Sequence, residues 1–385
     1  MNESVPEGLE RYGWPPPPRV NWTLTGHGEA EQELSAAFES GRLAHAWLVT
    51  GPRGIGKATL AFRFARFVLN SGAASAEPDM FGAPAEPVSP QPGGLYVDPA
   101  LPLFRRVASG GHSDLFTVER RLDPKRNKVR TEITAEDVRE IRPFLFATAA
   151  EGGWRVVVID SADEMNRHAA NAVLKVLEEP PRKTLLLLVS HNPDRLLGTI
   201  RSRCRKLALK PLSDSEVAAL VALYNPDIQT ADAARLARLA GGSIGHALGL
   251  AEFGGLTLYS SLTALLASLP NLDTVALHRL GDLVAKGAAN ETFQTVAELY
   301  RGWLARLIRH AAAGGPAEAT MDADAEEERA LLERLAPSAP LDRWLEVWEK
   351  TNQLLARTES ANMDRKQVLL TLFLDLADAT QSRSR

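Results

Sequence analysis

The chain has 385 residues, 45% of them apolar and 24% charged, with a formal net charge of −4. That length provides for two or three domains, each with its own core, and the balance is that of an ordinary globular protein. The slight acidity excludes a globally basic nucleic-acid binder, so any such contact is local. The single cysteine, Cys204, excludes an internal disulfide and a cysteine-based zinc cluster. No run of about 18 apolar residues offers a membrane span, and the start lacks the basic-then-apolar order of a signal peptide, so a reducing cytoplasm is the expected compartment.

Residues 1–21, with Pro15 to Pro18, read as an extended arm. Ala30, Leu34, Ala37 and Phe38 share one face of a helix expected from Gly28 to about Ser40, where Gly41 stops it. His45 to Thr50 is a short apolar strand that runs into Gly51-Pro52-Arg53-Gly54-Ile55-Gly56-Lys57-Ala58-Thr59, and Leu60, Ala61, Phe64, Ala65 and Val68 follow at helical spacing. Strand, glycine loop and helix are the order that a phosphate-binding loop requires. Glycines let backbone N–H groups close around phosphate oxygens, a lysine reaches the outer phosphates, and the helix N-terminus adds its dipole. Gly51, Gly54, Gly56 and Lys57 supply these parts. The hydroxyl that would hold magnesium is replaced by Ala58, and Thr59 lies about 100° further round the helix. The loop is therefore expected to cradle phosphate with a weakened grip on a metal.

Residues 71–112 are rich in Ala, Pro, Gly and Ser and read as a long surface insertion, partly disordered. Thr117 to Glu119 and Lys128 to Thr131 are strand-like flanks of a basic turn that carries Arg120, Arg121, Lys125, Arg126, Lys128 and Arg130. Such a cluster serves either a DNA backbone contact or a solvated face. Thr134 caps a helix with Val138, Ile141 and Leu145 inward, which Pro143 should kink or end. Arg155 to Asp160 is an apolar strand ending in an acid. The strand suits a parallel sheet buried on both faces, and Asp160, at the end where α/β sites assemble, is the candidate metal-site carboxylate. Ser161 stands where a hydrolysing enzyme of this type places a glutamate to orient water, while Asp163 and Glu164 are assigned to the following turn and helix.

A helix from Arg167 to Glu178 turns Ala170, Val173, Leu174 and Leu177 inward and ends at Pro180-Pro181. A second apolar strand, Thr184 to Val189, leads to Ser190-His191-Asn192, which serve either as a strand cap or as a γ-phosphate sensor. Arg201, Arg203 and Arg205 alternate, so in an extended chain all three face one way. Ser213 and Glu216 form a capping box, and helices run on to about Glu252. Beyond Gly254 the chain is helical, with stripes at Leu262, Leu265, Leu266, Leu269 and at Tyr300, Trp303, Leu304, Leu307, Ile308. The acidic run Asp322 to Glu328 is a solvated helix start or loop.

Together these residues resemble the clamp-loader branch of the AAA+ ATPases, the loaders of bacterial DNA polymerase III. The matching stretches are His45-Ala46-Trp47-Leu48, the loop from Gly51 to Lys57, Ile159-Asp160-Ser161-Ala162-Asp163, the run from Asn171 to Pro181 with its Leu-Glu-Glu-Pro-Pro ending, and Ser202-Arg203-Cys204. The likeness is strong over about residues 22–250 and thin beyond, except from Ala361 to Gln367. It implies an α/β AAA+ P-loop domain with a parallel sheet over 22–210, a small helical lid over 211–253 and an all-α collar over 254–385. It also implies a place in a heteropentamer with gamma/tau and delta subunits, which opens a sliding clamp and closes it around primed DNA. In such machines the Ser-Arg-Cys arginine enters a neighbour's ATP site, which makes Arg203 the expected arginine finger, a fixed guanidinium offsetting charge on transferred phosphoryl oxygens.

The departures from the family pattern matter equally. The four-cysteine zinc module of many relatives falls in the cysteine-free insertion, so no zinc is expected. The lid arginine expected in a Gly-Ser-x-Arg pattern meets Gly242-Ser243-Ile244-Gly245. The first sensor is His191 by spacing or Asn192 by chemistry. With Ala58, Ser161 and Gly245 all missing a functional group, ATP with magnesium is the candidate ligand, yet efficient hydrolysis is not expected. The expected role is a stationary loader subunit, classed with the polymerase holoenzyme but without polymerase chemistry. The rival roles are an autonomous AAA+ ATPase motor of the gamma/tau kind, which Lys57 and Asp160 favour, and a DNA-binding module, which only the basic turn suggests.

Overall fold

The computed structural model describes residues 15–73, 94–123, 128–151, 153–285, 289–313, 323–361 and 363–381. Residues 1–14 of the arm, 74–93 of the insertion, and Lys125 and Arg126 of the basic turn lie outside the described residues. Two units account for the described chain. The first runs to Asp227 and takes in Gly241–Gly245; the second holds Ile228–Ala240 and the residues from His246 onward.

The first unit is an α/β layer structure. In chain order it comprises α1 (Gly28–Glu39), β1 (Ala46–Thr50), α2 (Lys57–Ala73), α3 (Pro102–Ala108), β2 (Leu115–Val118), β3 (Leu122–Asp123), β4 (Lys128–Val129), α4 (Ala135–Val138), α5 (Ile141–Phe146), β5 (Arg155–Ile159), α6 (Arg167–Glu178), β6 (Thr184–Ser190), α7 (Gly198–Arg201), β7 (Arg205–Ala208) and α8 (Asp214–Tyr224). Five strands form one parallel sheet in the order β2-β5-β6-β1-β7, and β3 and β4 make a separate antiparallel pair. Every residue of β5 and β6 is buried, as their unbroken apolar runs require of central parallel strands. Side chains alternate between two cores. Trp47, Val49, Val156, Val158, Leu187 and Val189 pack with α1 and α2, whereas Leu48, Val157, Ile159, Leu186 and Leu188 pack with α4, α5 and α6.

Register decides what the sheet presents at its carboxyl edge. Thr50 lies beside Ser190 and Ile159 beside Leu188, so Gly51, Asp160 and His191 leave three neighbouring strands at the same end. The carboxyl end of such a sheet is where α/β proteins bind their ligands.

Local signals fix most element ends. Asn166 caps α6 by accepting from the Ala169 N–H at 3.0 Å, and the helix spans Arg167–Glu178 as its sequence predicts. The Ser213 backbone N–H donates to Glu216 at 2.8 Å and the Glu216 N–H returns to the Ser213 hydroxyl at 3.3 Å, the expected capping box.

Three expectations need correction. Residues 94–112 are not a loose insertion: Leu95, Val97, Leu103 and Val107 lie in the core beside α2. Widely spaced apolar anchors in a Pro- and Gly-rich stretch give no periodicity to read, yet each finds a place in the tertiary packing. The helix expected through Val138, Ile141 and Leu145 is two short ones, because the break falls at Arg139-Glu140 and Pro143 sits in the first turn of α5, where no N–H is needed. Arg201, Arg203 and Arg205 do not share a face. Arg201 ends the helical turn α7, Ser202 follows in αR conformation, and only Arg205 is on a strand, so alternation does not apply across the break.

The second unit is helical throughout: α9 (Thr230–Ala240), α10 (Ile244–Glu252, whose first two residues belong to the first unit), α11 (Gly255–Ala267), α12 (Thr274–Ala285), α13 (Ala289–Ala313), α14 (Ala323–Leu335), α15 (Leu341–Ala361) and α16 (Arg365–Gln381). The stripes on α11 and α13 are core: Leu262, Leu265, Leu266, Tyr300, Trp303, Leu304 and Leu307 are buried. Tyr300 donates its hydroxyl to the Leu372 carbonyl at 2.9 Å, and the Trp344 indole donates to Ala336 O at 3.1 Å, so these large side chains satisfy their polar ends. The span expected to form the lid, 211–253, contains α8, α9 and α10, of which α8 groups with the sheet unit and α9 with the second unit. Among the described residues no single helix is long and apolar enough to cross a membrane.

Candidate nucleotide site and arginine cluster

The loop after β1 is shaped by glycine. Gly51, Gly54 and Gly56 have φ of +142°, +77° and +101°, backbone conformations that glycine adopts without the steric cost of a Cβ. Close approach adds a second constraint. A Cβ on Gly245 would meet Gly54 Cα at 3.0 Å, and the Gly245 N–H donates to Gly54 O at 3.0 Å. The buried Ser243 hydroxyl donates to Arg53 O at 2.8 Å. Gly245 therefore serves as a backbone clamp on the loop.

Lys57 is buried, and its Nζ donates to the Pro52 carbonyl within the loop. Burial lowers its pKa from 10.5 to about 8, against the opposing pull of Asp160 and then Asp163. Asp160 is pushed above the usual carboxylate range by burial and by Glu119, while Lys57 and Arg120 act the other way. The residues thus present a phosphate cradle with its lysine and one acid. Thr59 is buried, whereas Ala58 holds the half-exposed position without a hydroxyl, so the donor set does not complete a magnesium site. Among the described residues no group of three His, Cys, Asp or Glu could hold a metal ion.

Ser161 adopts the left-handed conformation, φ +59° and ψ +51°, and its Oγ lies 3.2 Å from His191 Nε2. Burial, and next the charge of Lys57, lower the His191 pKa from 6.5 to about 4, so the ring is neutral at pH 7. Asn192 is exposed, and what fixes this corner is Asp163, whose carboxylate accepts the backbone N–H groups of His191 and Asn192 at 3.0 and 3.1 Å. The tertiary structure therefore brings Lys57, Asp160, Ser161 and His191 together and leaves Asn192 at the rim.

Two contributors were not read from the sequence as partners of the loop. His27, buried just before α1, donates from Nε2 to Ile55 O at 2.6 Å and braces the loop. Ser243 reaches the loop across 190 positions of sequence. His27 belongs to no local pattern that single-sequence reading uses, and the Gly-Ser pattern at 242–243 carries no sign that the hydroxyl meets Arg53.

Each of the three clustered arginines has its own acid: Arg201 pairs with Asp194 at 2.7 Å, Arg203 with Glu178 at 2.8 Å and Arg205 with Glu33 at 2.8 Å. Arg205 also lies over the Trp47 ring, 4.6 Å from its centroid. Arg203 is exposed, and its second anchor is the Thr199 carbonyl, to which Nη1 donates at 3.1 Å. In the basic turn, Arg120 pairs with Glu164 at 2.7 Å and Arg121 with Asp137 at 3.0 Å, so part of its charge is committed within the fold. Lys128 lies on β4, and Arg130 donates its backbone N–H to Arg121 O at 2.9 Å.

A five-stranded parallel sheet in this order, a glycine loop after β1 and an acid at the end of β5 define an AAA+-type P-loop domain, here followed by a helical C-terminal unit. Comparison with known proteins narrows the class. The family model described as DNA polymerase III, delta subunit, matches residues 100–213. The chain is 40% identical over 161 residues to the DNA polymerase III subunit delta' of Pseudomonas aeruginosa, covering 42% of each chain. It is 32% identical over 282 residues to the Escherichia coli subunit delta', covering 73% of each. To the subunit tau/gamma of Haemophilus influenzae it is 30% identical over 239 residues, 61% of this chain and 31% of the relative. With two subunit delta' relatives at this level, one of them matched over most of its length, the chain belongs to the DNA polymerase III delta-prime subunit family.

Proposed function

We propose that the chain acts as a delta-prime-type subunit of the DNA polymerase III clamp loader, assembled with gamma/tau and delta subunits, and helps place a sliding clamp on primed DNA. In this role it is a stationary element that supplies Arg203 to a neighbouring ATP site and hydrolyses ATP weakly or not at all. The 211–253 helices would serve as its lid and the later helices as its collar. The observation that carries the reading is the backbone clamp of Gly245 on Gly54, which leaves the loop without a lid arginine and crowds any side chain at that position. Ala58 and Ser161 support it, since the first withholds a magnesium ligand and the second a water-orienting carboxylate. The exposure of Arg203 supports the finger role, because an arginine that serves another chain must be reachable.

A second role, an autonomous motor of the gamma/tau kind, is favoured by Lys57 and Asp160, which share one electrostatic site. Steady-state ATP hydrolysis with clamp and primed DNA separates the two. The assay compares this chain alone, the motor and delta subunits, and that set plus this chain as wild type or Arg203→Ala. A silent isolated chain that raises the mixture's rate, with the gain lost in a correctly assembled Arg203→Ala complex, supports the stationary role. Turnover by the isolated chain that Lys57→Ala removes supports the motor. The basic hairpin is proposed as a DNA-backbone contact, tested by a gel shift of the isolated chain whose affinity should fall steeply with salt.

A further inference from the structure

Arg203 is not simply exposed; its guanidinium is oriented. Nη2 forms an ion pair with Glu178 Oε1 at 2.8 Å and Nη1 donates to Thr199 O at 3.1 Å, so each terminal nitrogen has one anchor on the protein side. A guanidinium is a rigid planar fork, and one anchor at each terminal nitrogen sets its plane. The anchors are themselves held. Glu178 ends α6, and His45 Nε2 lies 3.1 Å from the preceding carbonyl, Leu177 O, tying that last turn to the start of β1. Pro180-Pro181 ends the helix immediately afterwards. Arg203 itself follows α7, its backbone N–H donating to Ile200 O at 3.1 Å.

We propose that Glu178 is a positioning residue for Arg203: it holds the guanidinium in the orientation from which a neighbouring subunit's nucleotide phosphate is met. This rests on Arg203 serving a neighbouring site. Two considerations carry it. The Glu178 and Arg203 side chains are 49% and 36% exposed, and ion pairs so open to solvent add little to folding stability, so the pairing is not needed to hold the fold. A free surface arginine, in contrast, must lose considerable rotamer freedom on engaging a phosphate, and a pre-anchored one has already lost it. The function of Glu178 lies in its carboxylate charge, which holds the guanidinium through the ion pair. Replacement by glutamine keeps the length of the side chain and removes that charge.

The test uses the assembled loader with its clamp, primed DNA and saturating ATP, with this chain as wild type, Glu178→Ala, Glu178→Gln or Arg203→Ala. Glu178→Ala is expected to lower the stimulated kcat by about tenfold, the scale on which a small misplacement of a reacting group is felt. KM for ATP, complex assembly and the melting temperature of the isolated chain should be unchanged. Glu178→Gln is expected to lose kcat as Glu178→Ala does. A Glu178→Ala or Glu178→Gln complex with wild-type kcat overturns the proposal while Arg203→Ala still abolishes stimulation. If Arg203→Ala leaves stimulation intact, the finger role itself fails, and the Glu178 proposal fails with it.

Discussion

Gly54→Ala probes the contact that closes the loop. At φ +77° an alanine is strained by about 1–2 kcal/mol. Its methyl group would also fall on the Ser243 hydroxyl and approach Gly245 Cα and N at 3.1 and 3.2 Å. The hydroxyl can rotate away, but it then gives up its bond to Arg53 O, worth about 1 kcal/mol. The sum is about 2–4 kcal/mol once the tight backbone contact with Gly245 is included. Equilibrium urea unfolding followed by circular dichroism, on Gly54→Ala, Ser243→Ala and the double variant, measures it. Ser243→Ala alone should cost about 1 kcal/mol, and the double variant should be more stable than the sum of the singles by about 1 kcal/mol, since the colliding hydroxyl is gone. A Gly54→Ala protein within about 0.5 kcal/mol of wild type, or strictly additive variants, would refute the clamp.

Other outcomes follow from buried charge. Lys57 has a pKa lowered to about 8 in the folded chain against 10.5 when unfolded, so between these values the unfolded state binds more protons and stability rises with pH. Lys57→Met should be more stable than wild type at pH 7, with the advantage shrinking by pH 10; an advantage independent of pH would contradict the burial term. His191 titrates at about 4, so the unfolded chain gains protons first as pH falls below about 6.5 and stability drops between 6.5 and 4. The His191 ring protons followed by NMR should show a midpoint near 4, and a midpoint of 6 or above would refute the enclosed, cation-facing placement. Arg66 is fully buried, donates to Arg19 O at 2.9 Å and to Asn21 O at 2.7 Å, and stacks on Phe104; burial lowers its pKa to about 9. Arg66→Ala should destabilise the chain by about 3–5 kcal/mol, through two orphaned carbonyls and a cavity, and should speed proteolysis around residues 17–22. Unchanged cleavage there would show that Arg66 does not tether the segment.

The sequence by itself determined whatever rests on local chemistry. An unbroken apolar run makes a buried parallel strand, as in β5 and β6; a side-chain oxygen at a helix start makes a cap, as at Asn166 and Ser213; and glycines before a lysine make a phosphate loop. The absence of a hydroxyl at Ala58, of a carboxylate at Ser161 and of a side chain at Gly245 was equally legible, because a missing functional group is visible without coordinates. Tertiary structure alone decided the rest. Leu95 and Val97 became core because α2 offers them a surface, not because their segment has a period. His27 and Ser243 reached the loop because the fold returns distant chain to it, and Asp163 became a scaffold for His191 because β5 and β6 end side by side. Glu178 met Arg203 because α6 and the turn after α7 converge. Interactions within a turn or helix are encoded in spacing. Contacts across tens or hundreds of residues depend on which surfaces the folded chain brings together, and spacing carries no record of that.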